Sequence, residues 1–174
     1  MQYDPRQTNS PPAPIEPTGF FAGIQFRPIL MGVIVDTIAT LVLVSVYYAF
    51  YVEPGASKGA AFGEDAAAYW TTGEGLLATL LIGSLGTLIG GFYAAYKAGT
   101  LEMKHGALVG VSSIVLGLVL QSGAEESALP EWFMALSAAA AVPAGALGGF
   151  FAELFKNATR SRDSTLLPGG PGAQ

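Results

Sequence analysis

The chain has no cysteine, one histidine and little charge: Lys, Arg, Asp and Glu together make up 12% of its 174 residues. Without cysteine there are no disulfides, thiolate metal sites or cysteine nucleophiles. A lone histidine, His105, builds neither a multi-histidine metal centre nor a catalytic triad. No phosphate-binding loop, clustered His/Asp/Glu ligand set or serine with a basic partner accompanies it. The expectation is a protein that is not an enzyme and carries no cofactor or metal. Soluble domains are about one-quarter charged, so so sparse a charge argues against an ordinary soluble domain. The few basic residues form no patch suited to nucleic acid.

What the chain has is apolar length. It is 51% hydrophobic with a mean hydropathy of +0.47, and the apolar residues fall into four blocks. A membrane-crossing helix needs about 20 residues at 1.5 Å each. The blocks predict helices at about 28–52, 75–97, 105–122 and 131–156. The first follows a 27-residue lead and exceeds the roughly 7–15 apolar residues of a signal peptide, so it is expected to remain as a helix. The fold expectation is all-α, an integral membrane four-helix bundle spanning 20–156. A proline-rich tail (1–19) and a polar tail (157–174) flank it, neither with the apolar periodicity needed to fold. Residues 19–27, GFFAGIQFR, read as an interfacial lead-in.

Charge sets the expected orientation. Arg6, Arg27, Lys97, Lys104, Lys156, Arg160 and Arg162 fall on one side of the four blocks. Lys58 stands alone on the other, among Glu53, Glu64, Asp65, Glu74, Glu125, Glu126 and Glu131. The positive-inside rule places both termini in the cytoplasm and the protein, multi-pass, in a plasma (inner) membrane. Tyr47, Tyr48, Phe50, Tyr51, Trp70 and Trp132 mark one interface. Phe92, Tyr93, Tyr96, Phe150, Phe151 and Phe155 mark the other.

The second and fourth blocks end alike, in Gly90–Gly91–Phe92–Tyr93–Ala94 and Gly148–Gly149–Phe150–Phe151–Ala152. Each carries two stripes of small residues. In the second, Thr79, Gly83, Thr87, Gly91 and Ala95 run beside Gly86, Gly90, Ala94 and Ala98. In the fourth, Ser137, Ala141, Gly145 and Gly149 run beside Ala140, Ala144, Gly148 and Ala152. Small residues four apart let helices approach closely in lipid. This glycine-zipper pattern, with Gly106 and Gly110 on the third helix, predicts two helical hairpins of one orientation, a parallel repeat. On that alignment Gly106 answers Gly32 and Gly110 answers Asp36. The stripes could also serve a homo-oligomer or a larger membrane complex.

The stretches GGFYAAYKAG, MKHGALVGVSSIVLG and AGALGGFFAELF resemble small bacterial and archaeal four-helix membrane proteins catalogued as families of unknown function. The resemblance covers roughly residues 28–156. It implies a fold and supplies no catalytic residue.

Asp36 is the one acid inside a predicted span, nine residues beyond Arg27 and so about 13 Å along the helix axis. A charge at such depth costs about 2.5–3.5 kcal/mol on insertion scales and usually faces the bundle interior. Gly32, Ala39 and Thr40 give it a small, polar face. Thr87 and either Ser112 or Ser113 reach the same depth on neighbouring helices, so these hydroxyls are expected to bond it. Two functions are open. The leading one is a structural or accessory membrane bundle in which Asp36 clamps helix register. The other is a small transporter or channel with Asp36 as its proton or cation site; a cavity reaching Asp36 would favour it. Further expectations are a bend at Pro143, a solvated interfacial His105, lipid contacts at Arg160 and Arg162, and at most a weak cation site at Glu64 and Asp65.

Overall fold

The computed structural model describes residues 19, 22–52, 68–122 and 129–166. Among them the fold is four long helices and no strand. These are α1 (Phe26–Tyr47), continued by a π-helical turn over Tyr48–Val52, α2 (Gly73–Ala98), α3 (Glu102–Gln121) and α4 (Glu131–Leu166). All four are long and apolar enough to cross a membrane.

Local chemistry sets several ends. Thr72 caps α2, its hydroxyl accepting the Gly75 N–H at 3.1 Å, the usual duty of a threonine N-cap. At the other end Gly99 takes the left-handed conformation (φ 74°) and its N–H reaches Ala95 O, closing α2 as glycine does at helix C-termini. Leu101, also left-handed at φ 51°, completes the short turn into α3. The fourth helix runs ten residues past the expected boundary at 156. Nothing from Lys156 to Leu166 is glycine or proline, so no helix breaker interrupts this stretch. α4 also continues without interruption through Pro143, which lies exposed.

Pairwise contacts fix the directions. Gln25, Gly32 and Asp36 of the α1 arm meet His105, Val109 and Ser113 of α3 in ascending order, so α1 and α3 run the same way. Gly32 lies beside Gly90 and Ala94, and Thr40 beside Gly86, so α2 runs opposite to α1. Gly106 meets Gly145 and Gly149, and Gly110 meets Ala141, so α4 runs opposite to α3. Two hairpins of one orientation therefore sit side by side. Among the described residues α1 and α4 do not touch, while α2 and α3 each contact all the others.

The paired glycines hold this arrangement together. A Cβ on Gly90 would lie 2.5 Å from Gly32 O of α1, and one on Gly91 would lie 2.5 Å from Gly145 O of α4. On α4, a Cβ on Gly148 would lie 2.2 Å from Leu88 O of α2, and one on Gly149 would lie 2.4 Å from Glu102 O of α3. Consecutive helical residues point about 100° apart, roughly the angle between two neighbours at the corner of a four-helix bundle. One doublet thus seats two helices. The sequence match between doublets is not a match of role: Gly90 faces its own hairpin partner, whereas its counterpart Gly148 faces the other hairpin.

Packing is close at the end that carries Arg27, Lys97, Lys104 and Lys156, here termed the basic end. Ile29, Ala94 and Val109 form a core there, with Ile24 of the lead-in segment tucked against it. Toward the opposite, acidic end α3 has no buried residue beyond Gly110 among those described. A Gly145→Ala variant should expose this division, because its Cβ would sit 2.3 Å from Gly106 O. Overpacking of that kind costs about 1–3 kcal/mol or more. Gly117→Ala meets nothing within 4 Å and should gain up to about 1 kcal/mol of helix propensity. Thermal unfolding followed by Trp70 and Trp132 fluorescence should show the first midpoint falling and the second holding or rising.

Candidate functional site

Asp36 lies where the close-packed half of the bundle gives way to the open half, with 6% of its surface exposed. Gly90 and Gly86 of α2 make room for it: a Cβ on Gly90 would lie 2.6 Å from Asp36 Cβ, and one on Gly86 would lie 3.0 Å from Asp36 Oδ1. Three hydroxyls surround the carboxylate. Thr40, one turn along α1, is 3.4 Å from Oδ1. Thr87 of α2 is 3.4 Å from Oδ1 and 3.3 Å from Oδ2, and Ser113 of α3 bonds Oδ2. Ser112 points elsewhere and donates to Leu108 O at 2.8 Å, since one residue of rotation separates it from Ser113.

Hydrogen bookkeeping shows what this cluster can do. Thr87 Oγ1 also lies 3.0 Å from Gly83 O, and Ser113 Oγ 3.0 Å from Val109 O. A hydroxyl has one proton to give, so each can serve either its own helix carbonyl or the carboxylate. With Asp36 ionised, both turn to the carboxylate. With Asp36 protonated, both turn back, and Asp36 itself donates to Ser113. Either state is bonded without moving a heavy atom. The threonine contacts are also long against the 2.7–2.8 Å usual for O–H···O, which leaves Oδ1 without a close donor among the described residues.

A cavity of about 370 Å³ begins at Asp36 and opens to the exterior. All four helices line it. Hydroxyls of Thr37, Thr40, Thr79, Ser84, Thr87, Ser113 and Ser137 alternate with Leu41, Leu80, Ile114 and Leu116. The Ser137 oxygen is buried and finds no hydrogen-bond partner among the described residues. Each small-residue stripe therefore does two things. Gly91 and Ala95 pack at the basic end while Thr79, Gly83 and Thr87 line the cavity, and Gly145 and Gly149 pack while Ser137 and Ala141 line it. Gly83, expected among the packing glycines, belongs to the wall: a Cβ there meets nothing within 4 Å. The other eight, Gly86, Gly90, Gly91, Gly106, Gly110, Gly145, Gly148 and Gly149, all abut neighbouring helices of the same chain.

Behind Asp36 the basic end is shut. His105, expected to be solvated, is completely buried. Its Nε2 accepts the Gln25 N–H at 3.0 Å and its Nδ1 lies 3.1 Å from Leu101 O. An accepting Nε2 puts the proton on Nδ1, so the ring is a neutral brace between the start of α1 and the start of α3. The expectation failed because the lead-in segment folds over this position instead of leaving the bundle. Gln25 Nε2 adds a bond to Ala98 O. Lys156 closes the adjoining seam, donating to Ala95 O at 2.9 Å and pairing with Glu102 at 3.1 Å. Gln25 thereby supplies a partner to the Ala98 carbonyl at the end of α2, a need shared by all helix termini, and Lys156 adds a second donor to Ala95 O.

At the acidic end Tyr47 and Tyr69 share a hydrogen bond at 2.7 Å, with Tyr51 stacked on Tyr47 and Trp70 edge-on to Tyr69. Burial, then the bond to Tyr47, raises the Tyr69 pKa above the usual tyrosine range. Glu64 and Asp65 lie outside the described residues. Arg160 is exposed on α4, and Arg162 stands a half-turn further along it. The brace at His105 and Gln25 gave no signal in the sequence, since it joins residues 80 apart. Thr79 and Ser137 were visible there as members of the stripes, though not as cavity lining.

Compared with protein-family models, curated proteins and solved structures, the chain matches none. Adjacent glycines should report the site's geometry. Gly86→Leu drives a side chain into Thr40, whose Oγ1 lies 2.0 Å from the added Cβ. It should push α1 off α2 and lower the thermal midpoint. Gly83→Leu grows into the cavity, should unfold at or above the wild-type midpoint, and should reduce the cavity in a structure of the variant.

Proposed function

We propose that the chain is a non-enzymatic integral protein of the plasma membrane, both termini cytoplasmic, acting as a small transporter with Asp36 as its proton or cation site. The observation that carries this reading is the cavity that runs from Asp36 into the acidic half, opens to the exterior and is backed by the closely packed basic end. A channel would need a continuous path, whereas a site open to one side fits a carrier that exposes it to each side in turn. The cluster's ability to bond Asp36 in both protonation states supports a group that gains and loses a proton. Outward-facing Leu30, Ile34 and Ile38 suit contact with lipid chains. With eight of nine packing glycines occupied inside the monomer, any homo-oligomer or larger membrane complex would use other surfaces.

A structural role for the same residue has its own support. Asp36 joins α1 to α2 and α3 through Thr87 and Ser113, which would fix the register of three helices. The two roles diverge on one substitution. In vesicles holding the purified protein, proton and potassium flux should be measurable for wild type and lost in Asp36→Asn, with the variant still folded. Absence of flux from both proteins, together with a marked fall in the thermal midpoint of Asp36→Asn, would establish the clamp instead.

A further inference from the structure

We infer that the cavity above Asp36 is a binding site for a small organic cation, an ammonium group carried on an apolar body. The inference rests on the transport reading for its setting and adds the class of solute. Three features of the cavity point to it.

The first is charge. Among the described residues Asp36 is the only charged side chain lining the cavity, and its Oδ1 has only the two threonine hydroxyls, both at 3.4 Å. Two carboxylate oxygens accept about four hydrogen bonds, so an N–H donor arriving from the cavity meets free acceptor capacity. Ser113 stays on Oδ2 while Thr87 can return to Gly83 O. The site thus yields one of its own bonds to an incoming donor without leaving that hydroxyl unpaired.

The second is the wall. Leu41, Leu80, Ile114, Leu116, Leu118 and Leu120 supply aliphatic surface, and at about 370 Å³ the cavity falls in the lower range of small-molecule pockets, about 300–1,000 Å³. An alkali ion would use the carboxylate and hydroxyls but gains nothing from the leucines or from most of the volume. A proton alone needs no cavity. An ammonium with an aliphatic or aromatic body uses the carboxylate, the apolar wall and the volume together. Ser137, with its buried and unpartnered hydroxyl, offers the body a polar contact on α4.

The third is the approach. Glu74 and Glu131 stand in the first turns of α2 and α4, at the acidic end. Negative charge at that end raises the local concentration of cations. The faces of Tyr47, Tyr51, Tyr69 and Trp70, clustered at the same end, attract ammonium groups in particular.

The test uses the full chain in lipid nanodiscs and isothermal titration with benzylammonium, benzyl alcohol, methylammonium and potassium chloride at neutral pH. Benzyl alcohol keeps the body without the charge; methylammonium keeps the charge without the body. Benzylammonium should bind once per chain, at least tenfold tighter than either fragment, and potassium should not displace it at equal concentration. Asp36→Asn should weaken binding at least tenfold, and so should Gly83→Leu, which fills the cavity while keeping the carboxylate and the fold. Equal binding of benzyl alcohol, equal binding by Gly83→Leu, or displacement by potassium would overturn the inference. Asp36-dependent proton flux without benzylammonium binding would overturn it too, while sparing the transport reading. Asp36-dependent binding with no flux of proton, potassium or amine would uphold the site and overturn transport.

Discussion

Everything particular about this bundle follows from how near α1 and α2 come to each other at Gly86 and Gly90. Their backbones meet so closely that Asp36 can lie between them with its carboxylate reaching toward α3. Gly91 draws α4 against the other flank of α2, and Gly106 and Gly149 hold α4 to α3. All of these contacts fall in the half of the molecule that bears Lys97 and Lys156. Helices that pack tightly in one half and lack glycine contacts in the other leave a space at the open end. The cavity is the geometric consequence of where the glycines stop, and Asp36 is its floor because it sits at that boundary.

Much of this was legible in the sequence and some was not, for reasons that differ by residue. Four helices follow from the length of apolar blocks, and the choice of Thr87 as a partner for Asp36 follows from depth counted along straight helices. Ser112 and Ser113 could not be separated that way, because depth along the axis says nothing of the 100° that divides them. Stripes of small residues announced close packing, yet the same stripe is contact at Gly91 and cavity at Gly83. Spacing encodes a face and does not encode whether a neighbour is there. The burial of His105 was not legible because its partner Gln25 is far away in the chain, in a lead-in segment with no periodic pattern to reveal its path.

The closed end is built from polar ties where the open end is built from rings. Gln25, His105, Lys156 and Glu102 tie all four helices together at the basic end, and the Gln25 bonds also pair backbone groups at helix termini. Such bonds are local and directional, and they can be exchanged for bonds to water if the helices separate there. The apolar core of Ile29, Ala94 and Val109 behind Asp36 is thin. What separates the carboxylate from the basic end is thus a small apolar layer backed by replaceable polar contacts, an arrangement compatible with a barrier that opens.

The repeat explains why there is a single acid. In the sister hairpin Gly110 occupies the position of Asp36, and a Cβ there would lie 2.4 Å from Ala141 O of α4. No side chain fits, let alone a carboxylate. The corresponding space beside α1 exists because Gly86 and Gly90 leave it, and because α1, alone among the helices that flank α2, makes no contact with α4. Duplication gave two similar hairpins, but their side-by-side assembly puts one near-equivalent position against a backbone and the other against a cleft. The asymmetry of the bundle precedes the asymmetry of the charge, and one chain of this fold can hold one such site.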